Sequence, residues 1–319
     1  MNIKQIKFNG RYAFLDNHYC FFNGGSGFSF TMKGKSFTVS LKSIPANGYF
    51  YIIVDRDYNS KTKYQINNQA IKYVFSKEGV HYVDVIKANE ANDNAMSLLD
   101  LLIDGKQLDY DFAYSKKARV FGDSTIAGFG ILEHNGEGSI HNSDSVRDFC
   151  FHALYELNYD ADILSASGWG LAFSIYTQPN NMGIYDYFDK VAVYKNIPWI
   201  DNEKYDLLII SLGCNDNSYI EAGMISKEKG IDVFVSKYQA LIDSQIKLNK
   251  DLKILIVYGT LKEENAYYLN EEVYRLLKPK YPNLFIHKFH GDNSAIANHA
   301  YVTAHDAMCE ELKEVIKAL

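Results

Sequence analysis

The hydrophobic period of this chain changes once, and that change restricts the fold more than any single residue does. From about residue 6 to 108 the apolar residues come in short or alternating stretches between Gly, Asn and Asp turns, as in Gly27-Phe28-Ser29-Phe30-Thr31, 37–41, 49–54 and 80–85. Such runs suit strands buried on one face, and many in succession predict an all-β sandwich of the jelly-roll kind. Asn23-Gly24-Gly25 and Lys33-Gly34-Lys35 are expected turns, and 98–105 an expected last strand with its turn. After Lys117, apolar runs at 119–121, 162–164, 206–212, 253–258 and 283–289 alternate with helical spacing. Continuous apolar runs suit strands covered on both faces, so the alternation calls for βαβ units in a three-layer α/β domain, its mainly parallel sheet having about five strands.

Two domains are therefore expected, residues 1–112 and 113–319, with 109–117 as the linker. One expected helix carries Val146, Phe149, Cys150, Ala153, Leu154 and Leu157, and another Phe234, Tyr238, Leu241, Ile242, Gln245 and Leu248. The last is expected to start at Thr303-Ala304-His305-Asp306, which reads as a Thr-x-x-acid cap, and to bury Met308, Leu312, Val315, Ile316 and Leu319.

Charge and composition exclude several partner classes. The net charge is −6 and no Lys/Arg-rich run occurs, which argues against nucleic acid and anionic membrane surfaces as partners. No stretch of about 18 apolar residues is present, so neither a signal peptide nor a membrane span is expected. As written the chain reads as cytoplasmic; a signal removed beforehand would make it secreted. The four cysteines lack C-x-x-C spacing and fit reduced, apolar use. No cofactor is implied, and no metal-ligand spacing is evident. The 25 tyrosines serve either sandwich packing or a sugar-facing surface. Oligomeric state is not legible.

Four strand ends in the second half carry chemistry-bearing residues. They are Gly122-Asp123-Ser124, Ser167-Gly168-Trp169-Gly170, Gly213-Cys214-Asn215-Asp216, and the segment from Asn298-His299 to His305. Ester hydrolysis needs a nucleophile, a base and donors aimed at the developing oxyanion. Ser124 supplies a hydroxyl and a backbone N–H, Gly168 a backbone N–H with Gly170 as fallback, and Asn215 a side-chain amide. His299 is the expected base, with His305 as the competing candidate better suited to holding the site together. Asp123 and Asp216 are expected to bond backbone N–H groups in their own turns.

In order and spacing these blocks resemble the SGNH, or GDSL-like, hydrolase superfamily over residues 118–319. With a β-sandwich ahead of them, the arrangement is similar to carbohydrate esterase family 2. Gly10-Arg11-Tyr12, Gly25-Ser26-Gly27, Asn181-Met182-Gly183-Ile184-Tyr185 and the second histidine six residues after the first also look like that family. The resemblance implies a serine esterase that removes acetyl groups from acetylated oligo- or polysaccharides of the xylan or mannan type. One departure stands out: the superfamily places an aspartate three residues before the catalytic histidine, where this chain has Ile296. The histidine must then be oriented by a backbone carbonyl or by Asp292, as a Ser-His dyad. Trp169 and Trp199 are candidates for stacking on a sugar ring, or else core and rim residues. Two other functions compete: a non-catalytic carbohydrate-binding protein with a degenerate site, and an esterase or thioesterase for another short acyl group.

Overall fold

The protein is described from a computed structural model, which covers all residues except 1, 46, 113, 178–180, 201–202 and 262–266. The expected domain boundary, at residue 113, lies outside the described residues.

The first half is one eight-stranded antiparallel sheet that curls around a core. Its strands are β1 (Ile6–Asn9), β2 (Tyr12–Leu15), β3 (His18–Phe21), β4 (Gly27–Ile44), β5 (Tyr49–Val54), β6 (Thr62–Gln65), β7 (Ile71–Lys87) and β8 (Ala95–Leu108). The period of two places Phe28, Phe30 and Met32 of β4 and Val83 and Val85 of β7 inside. Two expectations fail here. Lys33-Gly34-Lys35 is not a turn but the middle of β4, and β8 continues through Gly105. Gly34 lies opposite both Gly79 of β7 and Gly105 of β8, at a register shift. A Cβ on Gly34 would stand 2.1 Å from the Asp104 carbonyl oxygen. Glycine here lets long strands bend across one another without ending them.

The second half matches the α/β expectation. Strands β9 (Lys116–Gly122), β10 (Tyr159–Ser165), β13 (Leu207–Ser211), β14 (Lys253–Tyr258) and β15 (Leu284–Lys288) form a parallel sheet in the order β10-β9-β13-β14-β15. Between β10 and β13 lies a small hairpin of β11 (Lys190–Ala192) and β12 (Lys195–Pro198) that the sequence reading missed. Alternate residues enter opposite layers: Val120, Ile209 and Leu255 face one core, and Phe121, Ile210 and Ile256 the other. The helices are α1 (Ser124–Ala127), α2 (Phe149–Glu156), α3 (Cys214–Glu221), α4 (Lys227–Ile246), α5 (Tyr268–Leu277) and α6 (Val302–Ala318). α2 and α6 cover the first face and α3 to α5 the second. α6 starts one residue before Thr303 and has no side-chain cap, so the predicted Thr-x-x-acid cap is not used. None of the helices among the described residues is long and apolar enough to cross a membrane.

The two halves share one interior. Tyr51, Ile53, Tyr58, Ile86 and Ala88 of the β-domain pack in the same cluster as α2 and α6. A buried ion cluster sits beside it. Asp162 of β10 receives Arg11 Nε at 2.8 Å and Arg119 Nε at 2.9 Å, and all three side chains are at most 5% exposed. Burial alone would raise the Asp162 pKa, but the two guanidiniums outweigh it and hold the carboxyl below its usual range. Arg11 also donates to the Phe188 and Lys190 carbonyls, at 2.9 and 2.6 Å, tying the loop before β11 to the β-domain.

Replacing Asp162 by Asn would leave two buried guanidiniums without a counter-charge. We expect a loss of about 3–5 kcal/mol of stability, read as a lower urea midpoint.

Candidate active site

Ser124 stands where β9 leaves the sheet, at the point in the strand order where successive connections diverge, a usual ligand position in such sheets. Gly122 is required for the tight exit, since a Cβ there would lie 2.3 Å from Ile126 Cγ1. Asp123 caps α1, accepting from the Thr125 N–H at 3.0 Å and the Thr125 hydroxyl at 2.9 Å. Burial lifts the Asp123 pKa to about 6, and these donors restrain the rise. The cap leaves the Ser124 N–H without a bonded partner among the described residues.

The histidine segment reaches the serine from the far side of the sheet. His299 Nε2 lies 2.7 Å from Ser124 Oγ. Nδ1 lies 3.1 Å from both the Ile296 and Ala297 carbonyls. With acceptors only on that side, the proton belongs on Nδ1, and Nε2 is left as the acceptor for the serine hydroxyl. Ala297 and Asn298 both take left-handed backbone conformations, φ 52° and 60°, which turn those carbonyls toward the ring. Desolvation lowers the His299 pKa, and the two carbonyls oppose the shift without cancelling it. The Ile296 side chain, at the position of the missing acid, is buried and packs against Gly130.

Asp292 does not reach the imidazole. Its carboxylate accepts from the Tyr301 N–H at 3.0 Å and from Ser294, bracing the loop instead. His305 is buried one turn into α6, where its Nδ1 accepts from the Phe149 N–H at 3.2 Å. Burial depresses its pKa to about 3.

The donor loops converge on the same edge of the sheet. The Gly168 N–H has no bonded partner among the described residues, whereas the Gly170 N–H is spent on the Phe173 carbonyl at 2.9 Å, which removes Gly170 as a fallback. Asn215 Nδ2 donates to the Trp169 carbonyl at 3.2 Å, which leaves its second N–H. Neither tryptophan offers a ring face at the Ser124 end of the sheet. Trp169 is fully buried between Tyr187 and Tyr194. Trp199 packs edge-on against Tyr12 and lines a cavity with Lys117 and Asp160, at the amino end of the strands, opposite Ser124.

Two contributors, Tyr176 and Glu90, escaped the sequence reading, and a third, Asp216, departs from it. Tyr176, 59% exposed, lays its ring against Gly168, where a Cβ would come 2.2 Å from the ring; nothing distinguished it among 25 tyrosines. Asp216 bonds outside its own turn, accepting from Leu171 N–H (2.7 Å), Ala172 N–H (2.7 Å) and Phe173 N–H (3.0 Å). Its pKa rises to about 6 through burial, opposed by these N–H groups. Glu90 of the β-domain holds Ser167. Among the described residues the three groups that could share a metal are His152, Glu156 and Cys309, between α2 and α6, where Lys313 already pairs with Glu156 at 2.6 Å.

Asp216→Asn would keep an oxygen for Ala172 and Phe173 but turn an NH2 toward the Leu171 N–H. A loss of about 1–3 kcal/mol is expected in denaturant unfolding.

Residues 8–109 match the carbohydrate esterase 2 N-terminal family. A family two carbohydrate esterase from Clostridium thermocellum, solved in complex with cellohexaose, superposes with a TM-score of 0.83 at 22% identity, covering 98% of each chain. The acetyl xylan esterase Est2A from the rumen bacterium Butyrivibrio proteoclasticus gives 0.85 at 15% identity, covering 100% of this chain and 96% of that one. A GDSL-like lipase fold from Bacteroides ovatus is more distant, at 0.50 and 13% identity over 92% and 84% of the two chains. Comparison with curated proteins by sequence gives no match. Residues 8–109 are thus similar to the carbohydrate esterase 2 N-terminal family, and across its whole length the chain resembles carbohydrate esterase family 2 structures in fold.

Proposed function

We propose that the protein is a carbohydrate O-acetylesterase acting through an acetyl-serine intermediate. The observation that carries the reading is the 2.7 Å contact between His299 Nε2 and Ser124 Oγ, made by an imidazole whose other nitrogen faces two carbonyls. His299 Nε2 takes the hydroxyl proton as Ser124 Oγ attacks the acetyl carbonyl carbon. The carbonyl oxygen becomes negative within reach of the Ser124 N–H, the Gly168 N–H and the Asn215 amide. Collapse breaks the bond to the sugar oxygen, which leaves with the proton from His299. Water, deprotonated by the same Nε2, then attacks acetyl-Ser124 and releases acetate.

The dyad form follows from the missing acid. Two carbonyls fix the tautomer and orientation of His299, the two tasks a buried carboxylate performs in a triad, but they supply no countercharge for the imidazolium. A sugar ester is favoured as substrate by the exposed Tyr176 face beside Gly168, a surface suited to stacking on a pyranose. The acetyl xylan esterase and cellohexaose-bound relatives point the same way. The xylan or mannan class of substrate is part of this proposal.

Acetate release from p-nitrophenyl acetate and from an acetylated xylo-oligosaccharide tests the reading. Ser124→Ala and His299→Ala should each lower kcat by about 10⁴-fold or more, and activity on longer acyl esters should fall beyond two or three carbons. Sugar binding without serine-dependent acetate release would instead select the non-catalytic alternative.

The pH profile has a defined sign. A lowered His299 pKa keeps the base neutral further into acid, so kcat/KM should fall on the acid side with an apparent midpoint below the ordinary histidine value of about 6.5. A midpoint above that value would contradict the assignment of His299 as base.

A further inference from the structure

The segment that follows β7 enters the hydrolase half and touches both loops of the site. On one side the Ala88 carbonyl accepts from the Ser145 N–H at 2.7 Å, and Asn89 Nδ2 donates to the Ile140 carbonyl at 2.9 Å. Ser145 in turn donates through its hydroxyl to the Ala127 carbonyl at 2.6 Å, at the end of the helix that begins with Ser124. On the other side Glu90, 3% exposed, receives the Ser167 N–H on Oε2 at 2.7 Å and the Ser167 hydroxyl on Oε1 at 2.6 Å.

Ser167 immediately precedes Gly168, whose peptide N–H has no bonded partner among the described residues. A bidentate grip on both Ser167 donors fixes the residue's position and rotation, and so the direction in which the next N–H points. The far end of the same loop is held by Asp216 at Leu171, Ala172 and Phe173. Among the described residues the Glu90 carboxylate bonds Ser167 and Asn92, not Ser124, His299 or Asn215. Its burial is itself an expense that packing does not explain: the pKa rises to about 7 through desolvation and the nearby Asp93, against the two Ser167 bonds and Lys87. Lys87 is also buried and donates to the Asn89 and Glu90 carbonyls, steadying the segment behind the carboxylate.

We propose that Glu90 is a positioning residue through which the β-domain sets the oxyanion-binding geometry of the hydrolase domain, by holding Ser167 so that the Gly168 N–H faces the acyl oxygen. The β-domain then completes the site across the domain boundary rather than acting only as an accessory. This rests on the acetylesterase reading above.

Glutamine can keep the geometry without the charge, since its oxygen can accept the Ser167 N–H while its NH2 donates to a reversed Ser167 hydroxyl. Alanine cannot. The test is steady-state kinetics on p-nitrophenyl acetate for wild type, Glu90→Ala, Glu90→Gln and Ser124→Ala, with inhibition by phenylboronic acid, which adds reversibly to a serine hydroxyl and places an oxygen where the oxyanion forms. Loss of one oxyanion donor costs about 10²–10³-fold in kcat, and misplacing one should cost less. Glu90→Ala is therefore expected to lower kcat by about 10–100-fold with KM within about threefold of wild type, and to weaken the boronic acid by a similar factor, while Glu90→Gln recovers most of both. Glu90→Ala within twofold of wild type in kcat would overturn the proposal. So would a loss shared equally by kcat, KM and the glutamine variant, which would mark a purely structural role. If Glu90→Ala does not fold, Ser167→Ala carries the test: it removes one of the two bonds, and an unchanged kcat sinks the idea, against an expected loss of about 3–10-fold. Absence of Ser124-dependent hydrolysis in wild type would instead reject the esterase reading itself, and this inference with it.

Discussion

Asp162 is the point on which the two halves of the molecule depend. It lies on the edge strand of the parallel sheet and pairs with Arg119 of the neighbouring strand and with Arg11 of the β-domain. A carboxylate so deeply buried is tolerable only because two guanidiniums and their hydrogen bonds replace the lost water. The same Arg11 fork reaches the loop before the small hairpin, so one cluster ties the β-domain both to the parallel sheet and to an insertion of the second half. Beside it, Ala88 to Glu90 enter the hydrolase half next to the Ser124 turn and the Gly168 loop.

The loops of the site repeat this device at smaller scale. Asp123, Asp216 and Glu90 are buried carboxylates, each raised in pKa by desolvation and each surrounded by N–H or hydroxyl donors. None of them needs to take part in chemistry. Their effect is to hold peptide groups against fixed acceptors, while the N–H groups of Ser124 and Gly168 have no bonded partner among the described residues. A rigid edge with a few free donors is what electrostatic preorganisation requires.

The histidine is managed differently. In place of an acid three residues earlier, the chain turns its backbone at Ala297 and Asn298 through left-handed conformations and offers two carbonyls to Nδ1. Carbonyls set the tautomer as well as a carboxylate does, but a neutral acceptor stabilises the imidazolium less. Desolvation lowers the His299 pKa, and the two carbonyls offset only part of that shift.

How much of this was legible beforehand follows from the range of the interactions involved. Local alternation alone carried the two periods, hence an all-β first half read as a jelly-roll-like sandwich and about five parallel strands in the second, because burial on one face or two is written in neighbouring residues. The sequence also marked Ser124, Gly168, Asn215 and His299 as strand-end residues, and the structure brings Ser124 and His299 into contact. Only the tertiary structure decided what depends on partners distant in the chain: that Gly34 bends a strand because Gly79 and Gly105 lie opposite it, that Trp169 is buried and Trp199 sits at the wrong end of the sheet, and that Asp292 braces a loop while carbonyls face the imidazole. The reach of Glu90 from one domain into the other could not be read at all, because a lone glutamate in a loop carries no periodic signal and its bonds to Ser167, 77 residues away, exist only once both domains have packed.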